Sequence, residues 1–253
     1  MQKETIIFLH GIVGNKNAFQ REMIQLNHEY HCIAYNFYNS AELGEANQLT
    51  LDRLVEQLYS IFEKGRVKKA HLCALSFGSI VSMAFASKYP NMVISMTFVG
   101  GYCCGVRSQF QANIVRLLEM RQKLEYNMWL NQCARLMNPN RELLNENSEA
   151  IFAKYAGELD PDMFEQVLRL NVEIDSPAIL SQIQTPILWL MGEYDDLYKG
   201  TLTAIDQYNL NVVYKELTHA GHAAHFHNPY QFMSYFQSFL TKVQSKNLSG
   251  LVV

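Results

Sequence analysis

A chain of 253 residues, 49% hydrophobic and 18% charged, is long enough for one generous core or two modest ones and too apolar for disorder. Its formal net charge of −3 offers no basic face to nucleic acid or anionic lipid. No run approaches the ~20 continuous apolar residues that span a bilayer, and five cysteines without CxxC spacing predict free thiols in a reducing, cytoplasmic setting.

The first apolar run, Thr5–His10, leads into Gly11 rather than a small-residue cleavage site, so it predicts a strand and not a secretion signal. A helical pattern over Lys16–Leu26 follows, then a second strand, His31–Phe37. Thr50–Glu63 repeats apolar residues at helical spacing behind a Thr/Asp start. The third strand, Lys69–Leu75, runs straight into a helix, Ser76–Tyr89, that Pro90 stops. Val93–Val99, Pro186–Met191 and Asn211–Leu217 complete six strands, and Tyr230–Val243 behind Pro229 predicts the last helix, with a frayed tail over Asn247–Val253. Most of these runs are apolar throughout rather than alternating, as parallel strands covered on both faces require. Strand alternating with helix predicts an α/β fold, a doubly wound and mainly parallel sheet.

Between Gly101 and Thr185 the alternation stops. Helical stretches over Asn113–Tyr126, Met128–Met137, Asn147–Ala156 and Pro161–Leu170 occupy this interval. An insertion between the fourth and fifth strands lies at the carboxyl edge of a parallel sheet, where ligands bind. The expected organisation is a core of residues 1–101 and 185–253 with a helical cap over residues 102–184.

Four segments carry candidate chemistry. In Ala74-Leu75-Ser76-Phe77-Gly78, a sharp strand-to-helix turn would expose the Ser76 hydroxyl and aim the Phe77 N–H at a developing oxyanion. Such a turn needs small residues two positions either side, which Ala74 and Gly78 are; the pentapeptide alone equally fits a serine that caps a helix. In His10-Gly11-Ile12-Val13-Gly14, the Ile12 N–H could be the second oxyanion donor. That loop lacks both the GxGxxG and the Gly-Lys-Ser/Thr patterns of phosphate binding. Gly192-Glu193-Tyr194-Asp195-Asp196 offers an acid to orient a histidine, Asp195 first and Asp196 as the substitute. Finally, four of the eight histidines fall in Thr218–Pro229. His222, behind Gly221, is the best general base, while His219, His225 and His227 read as surface or supporting residues. No cysteine or carboxylate shares that loop, so a metal site is not expected, and no cofactor is needed. Serine, acid and histidine appear in that order, each at the end of a different strand.

Together these residues resemble the α/β-hydrolase superfamily over nearly the whole chain: FLHGIVGN its His-Gly oxyanion loop, ALSFGS its nucleophile elbow, GEYD its acid turn and AGHAAHFHNP its histidine loop. The resemblance implies Ser76 as nucleophile, Asp195 as acid, His222 as base, and Ile12 and Phe77 as oxyanion donors. It also implies a six-stranded core ordered 2-1-3-4-5-6, without the two antiparallel strands that usually open the superfamily's sheet. Two departures are Ala74, where glycine is usual, and NFYNSAELGEANQ, where relatives often carry Gly-x-Gly-x-Ser.

The implied reaction is acyl transfer from a small-molecule substrate, with a carboxylic ester of a small metabolite as the expected class. Carbon–carbon bond hydrolysis or acyltransfer on the same triad, and a hydrolase-fold ligand sensor, are the alternatives. The interval assigned to the cap offers Met120, Met128, Trp129, Leu130, Met137, Phe152, Tyr155 and Phe164 for an apolar pocket or for its own packing. Arg107, Arg116, Arg121 and Arg135 could include an anion clamp.

Overall fold

A computed structural model describes residues 3–38, 49–105, 108–138, 140–144, 148–202, 205–207 and 211–249. Six strands, β1 (Thr5–Leu9), β2 (His31–Ala34), β3 (Ala70–Leu75), β4 (Val93–Val99), β5 (Ile187–Gly192) and β6 (Val212–Leu217), form one sheet ordered β2-β1-β3-β4-β5-β6. All five pairings are parallel, which is the expected topology. The second strand is shorter than its apolar run, ending at Ala34, and the chain then turns so that Phe37 and Tyr38 sit above the sheet edge.

Side-chain alternation divides the core into two layers. Ile7, Leu9, Leu72, Ala74, Met96, Phe98, Ile187 and Trp189 face one layer. Ile6, Phe8, Cys73, Val99, Leu188 and Leu190 face the other. Because both faces are covered, the central strands read as unbroken apolar runs in the sequence. The first layer is closed by α2 (Leu51–Lys64) and α3 (Phe77–Lys88), the second by α1 (Gln20–Leu26) and the long α11 (Pro229–Ser249). At the edge, β6 is mostly exposed, with Val213 and Tyr214 open to solvent.

Local signals set the helix ends. The Thr50 hydroxyl accepts from the Arg53 N–H at the start of α2, whose first and last turns carry Asp52 and Lys64. Asn228 caps the Pro229 start of α11 by accepting from the Gln231 N–H. The predicted first helix is shorter than its pattern, because residues 16–19 form turns in which Ala18 and Gln20 bond back to Asn15 and Asn17. The last helix runs past its predicted end to Ser249, through the first residues expected to fray; residues 250–253 lie outside the described segments.

Between β4 and β5 the chain is helical, through α4 (Gln109–Arg121), α5 (Tyr126–Met137), α6 (Ser148–Gly157), α7 (Pro161–Glu173) and the short α8 (Ser176–Leu180). Asn147, expected to open the third of these helices, lies outside the described residues. Trp129 is fully buried at the centre of the insertion. It donates to the Leu117 carbonyl at 2.7 Å and packs against Phe164 at 5.4 Å between ring centroids. Trp129→Ala leaves a cavity and an unpaired carbonyl, and should lower unfolding free energy by about 3–5 kcal/mol, measurable by urea unfolding followed by circular dichroism.

Candidate active site

The elbow after β3 is built from a backbone conformation that side chains resist. Ser76 has φ 50° and ψ −118°, in the positive-φ region where L residues are strained. Three hydrogen bonds hold it there: the Ser76 N–H donates to the Val99 carbonyl at 2.9 Å, and the Ser79 N–H and hydroxyl both donate to the Ser76 carbonyl. A Cβ on Gly78 would come within 2.7 Å of the His10 carbonyl oxygen and 2.9 Å of that of Leu9. Glycine is therefore required on the helix side of the elbow. On the strand side Ala74 is an ordinary member of β3, paired with Leu9 and Phe98. The substitution of alanine for glycine there has no visible cost.

Phe77 is the first residue of α3, so its N–H is among the four that have no acceptor within a helix, and the positive end of the helix lies beside Ser76. Across from it runs the loop after β1. Gly11 lies against Ser76, and a Cβ there would meet the serine Cβ at 3.5 Å. His10 fixes this loop: its Nε2 accepts from the Phe37 N–H at 2.9 Å, so Nδ1 carries the proton and donates to the Gly11 carbonyl at 2.7 Å. The Tyr38 hydroxyl donates to the Ile12 carbonyl at 3.2 Å. Ile12, nearly buried, thus has its peptide held in one orientation.

Of the two acids after β5, Asp195 turns inward and is fully buried, whereas Asp196 faces solvent, pairs with Lys199 at 3.4 Å and accepts from Asn140. His222 donates from Nδ1 to Asp195 Oδ2 at 3.0 Å. The other oxygen of Asp195 has no hydrogen-bond partner among the described residues. A buried carboxylate so little compensated gains from positive charge on its neighbouring imidazole. The two loops are tied by backbone bonds, Glu193 N–H to the Leu217 carbonyl and Tyr194 N–H to that of Ala220, both at 2.9 Å.

Gly100 joins these pieces. It follows Val99, which accepts from Ser76, and it has φ +56°. A Cβ on it would lie 2.5 Å from the His222 carbonyl oxygen and 2.8 Å from His222 Nδ1. Ser76 and the Asp195–His222 pair therefore border the same glycine.

The other loop histidines diverge. His225, in the short helix α10 (Ala224–His227), is buried, stacks on Phe19 and donates from Nε2 to the Ala18 carbonyl at 3.1 Å. His219 contacts the Tyr194 hydroxyl, and His227 the Ser148 hydroxyl. Among the described residues no group of three or more His, Cys, Asp or Glu is gathered as a metal site. All five cysteines are unpaired. Cys103 and Cys104 follow β4, and burial pushes the Cys103 thiol up to about 12 and raises that of Cys104. Neither is a competing thiolate nucleophile at neutral pH.

Of the residues nominated for a substrate pocket or for packing, several are committed to packing. Trp129, Leu130, Met137 and Phe164 are buried in the hydrophobic cluster that also covers one face of the sheet, and Met128 is exposed. Arg121 lies over the Tyr126 and Trp129 rings, Arg135 pairs with Glu149, and Arg116 is exposed, so these three build no anion clamp; Arg107 is outside the described residues. Against His222 stands Tyr198, with Tyr102 and Phe110 packed behind it, three aromatics that sequence patterning missed. Tyr198 had one available signal: it lies three residues after Asp195, one helical turn. A groove of about 460 Å³ between α4 and α7, lined by Val115, Leu118 and Val172 among others, shares no residue with this site.

The alpha/beta hydrolase fold family model matches residues 4–229, and the chain belongs to that family. Among individual proteins it is similar to pyrrolizixenacetamide deacetylase of Xenorhabdus hominickii, 21% identical over 93% of this chain and 90% of that one. It is also similar to Lipase 1 of Psychrobacter immobilis, 26% identical over 78% of this chain and 63% of the lipase. Among solved structures, a carboxylesterase study of Nitrososphaera gargenis gives a TM-score of 0.81 at 15% identity, covering 97% of this chain and 92% of that one. No helix among the described residues is long and apolar enough to cross a membrane.

Two outcomes follow from this geometry. Gly100→Ala should reduce activity more than about 100-fold while the fold persists, checked by ester hydrolysis beside circular dichroism. Burial also holds His10 and His225 near about 4 in the folded chain, against about 6.5 when unfolded. Between these values the unfolded chain binds the protons, so stability falls as pH drops from about 6.5 to about 4, by up to about 1.4 kcal/mol per pH unit for each histidine. His225→Phe should flatten that slope by about one proton in urea unfolding at pH 7, 6 and 5.

Proposed function

We propose that this chain is a serine hydrolase that cleaves a carboxylic ester of a small metabolite through an acyl-enzyme. The observation that carries this reading is the hydrogen bond from half-buried His222 Nδ1 to buried Asp195 Oδ2 at 3.0 Å, bordering the same glycine as the elbow at Ser76. His222 takes the proton of Ser76 as its hydroxyl oxygen attacks the ester carbonyl. Asp195 fixes the tautomer and stabilises the imidazolium that forms. The Ile12 and Phe77 N–H groups receive the oxyanion, and the alcohol leaves with the proton from His222. Water then enters by the same steps and releases the acid. The similar proteins include a deacetylase, a lipase and a carboxylesterase, which supports this class.

In this reading residues 102–184 are a cap over the site. Contacts from three of its residues support that role. Asn140 donates to the Tyr194 carbonyl and to Asp196, the Leu144 side chain packs on Gly221, and Phe110 packs on Tyr198. A small-molecule substrate suits a serine that is only 5% exposed beneath such a cover. The five unpaired thiols fit a reducing, cytoplasmic setting.

Labelling with a fluorophosphonate probe tests the nucleophile. Wild type should label and Ser76→Ala should not; equal labelling of both overturns the assignment. On an aryl ester, Asp195→Asn should lower kcat by about 10³–10⁴-fold, whereas Asp196→Asn should stay within about threefold of wild type. His222→Ala with full activity would remove the triad.

A further inference from the structure

We propose that Tyr198 is a positioning residue for His222, and that through its ring the helical insertion sets the geometry of the base. The proposal rests on the assignment of His222 as general base. Tyr198 lies in the short helix α9 (Asp196–Lys199), and its ring stacks on the His222 imidazole at 3.8 Å between centroids and 22° between planes. It is 2% exposed and so has no freedom to swing away.

A second ring is needed for a geometric reason. One hydrogen bond from Nδ1 to Asp195 fixes a point on the imidazole but leaves rotation about the line joining the two atoms. A flat aromatic surface against the ring face blocks that rotation, because turning the imidazole would drive its edge into the phenol ring. Gly100 backs the Nδ1 and Cε1 edge, where even a methyl group would collide. Asp195, Tyr198 and Gly100 together leave the ring one seat.

Tyr198 is in turn held by the insertion. Phe110 of α4 lies 5.3 Å from it and Tyr102 5.9 Å, the latter two being 4.9 Å from each other. The Tyr102 hydroxyl donates to Asn171 Oδ1 of α7, and Asn171 bonds back to its own helix at the Val167 carbonyl. The chain α7–Tyr102/Phe110–Tyr198–His222 is continuous packing from the insertion to the base, and no residue along it is more than 6% exposed before His222. Displacing α4 or α7 therefore displaces the surface on which the imidazole rests.

The test uses the full chain, p-nitrophenyl acetate as the ester, and the rate of fluorophosphonate labelling at Ser76. Tyr198→Met, which keeps bulk but not the flat face, should lower kcat by about 100-fold with KM within about threefold of wild type. Tyr198→Phe keeps the stack and should stay within about threefold in kcat. Phe110→Ala, which leaves Tyr198 intact but removes its support, should lower kcat about tenfold. Nitrogen-15-edited NMR of the His222 ring supplies a readout independent of turnover. Its carbon-bound protons should be shifted upfield by the Tyr198 ring current in wild type and Tyr198→Phe, and should lose that shift in Tyr198→Met. Wild-type kcat in Tyr198→Met, a loss carried by KM alone, or Tyr198→Phe as impaired as Tyr198→Met would each overturn the proposal. So would His222 resonances identical in wild type and Tyr198→Met. If wild type fails to label at all, the hydrolase reading fails, and the NMR comparison still decides whether Tyr198 seats His222.

Discussion

The backbone turn at Ser76 costs energy on its own, since a serine at φ 50° pays the steric penalty that glycine avoids, of order 1–3 kcal/mol. It persists because its surroundings leave no relaxed alternative. The Ser76 N–H is committed to Val99, its carbonyl accepts twice from Ser79, and Gly78 lies within backbone contact of the β1 terminus at Leu9 and His10. The close approach of α3 to β1 is what brings the His10–Ile12 loop against the serine. One constraint at the elbow therefore places both candidate oxyanion donors and opens α3 toward them.

The opposite half of the site is organised by a different kind of contact. The loops after β5 and β6 are joined by backbone hydrogen bonds across the edge of the sheet, which brings Asp195 and His222 to bonding distance without any flexible linker. Gly100, at φ +56°, then lets the β4 end pass directly against His222. Carboxyl ends of parallel strands all open on one edge, so loops from β1, β3, β4, β5 and β6 reach the same place although they are far apart in the chain.

The helical segment between β4 and β5 contacts the loops on that edge. Trp129 and Phe164 pack at its interior, in the same hydrophobic cluster as one face of the sheet, whereas Phe110, Asn140 and Leu144 reach the acid and histidine loops. Large apolar residues visible in the sequence of this segment serve chiefly to hold its helices together. Those that meet the site are fewer: Tyr102 at the start of this segment, and from outside it Tyr38 after β2 and Tyr198 after Asp195.

The strands, their parallel order and the helices between them were legible in the sequence, because burial on both faces writes continuous apolar runs and amphipathic periods directly into it. So were the elbow, the glycine loop and the histidine loop, each a local pattern with a local physical demand. What the sequence left open depended on side-chain direction. Asp195 and Asp196 are indistinguishable as neighbours, and only the fold turns one inward to His222 and the other to Lys199 and solvent. His225 carries no mark separating it from His219, yet it is buried under Phe19. Tyr198 looks like any aromatic in a short helix until the β5 and β6 loops are brought together. Periodicity records which face of an element is covered, but not by what, and long-range contact supplies that missing half.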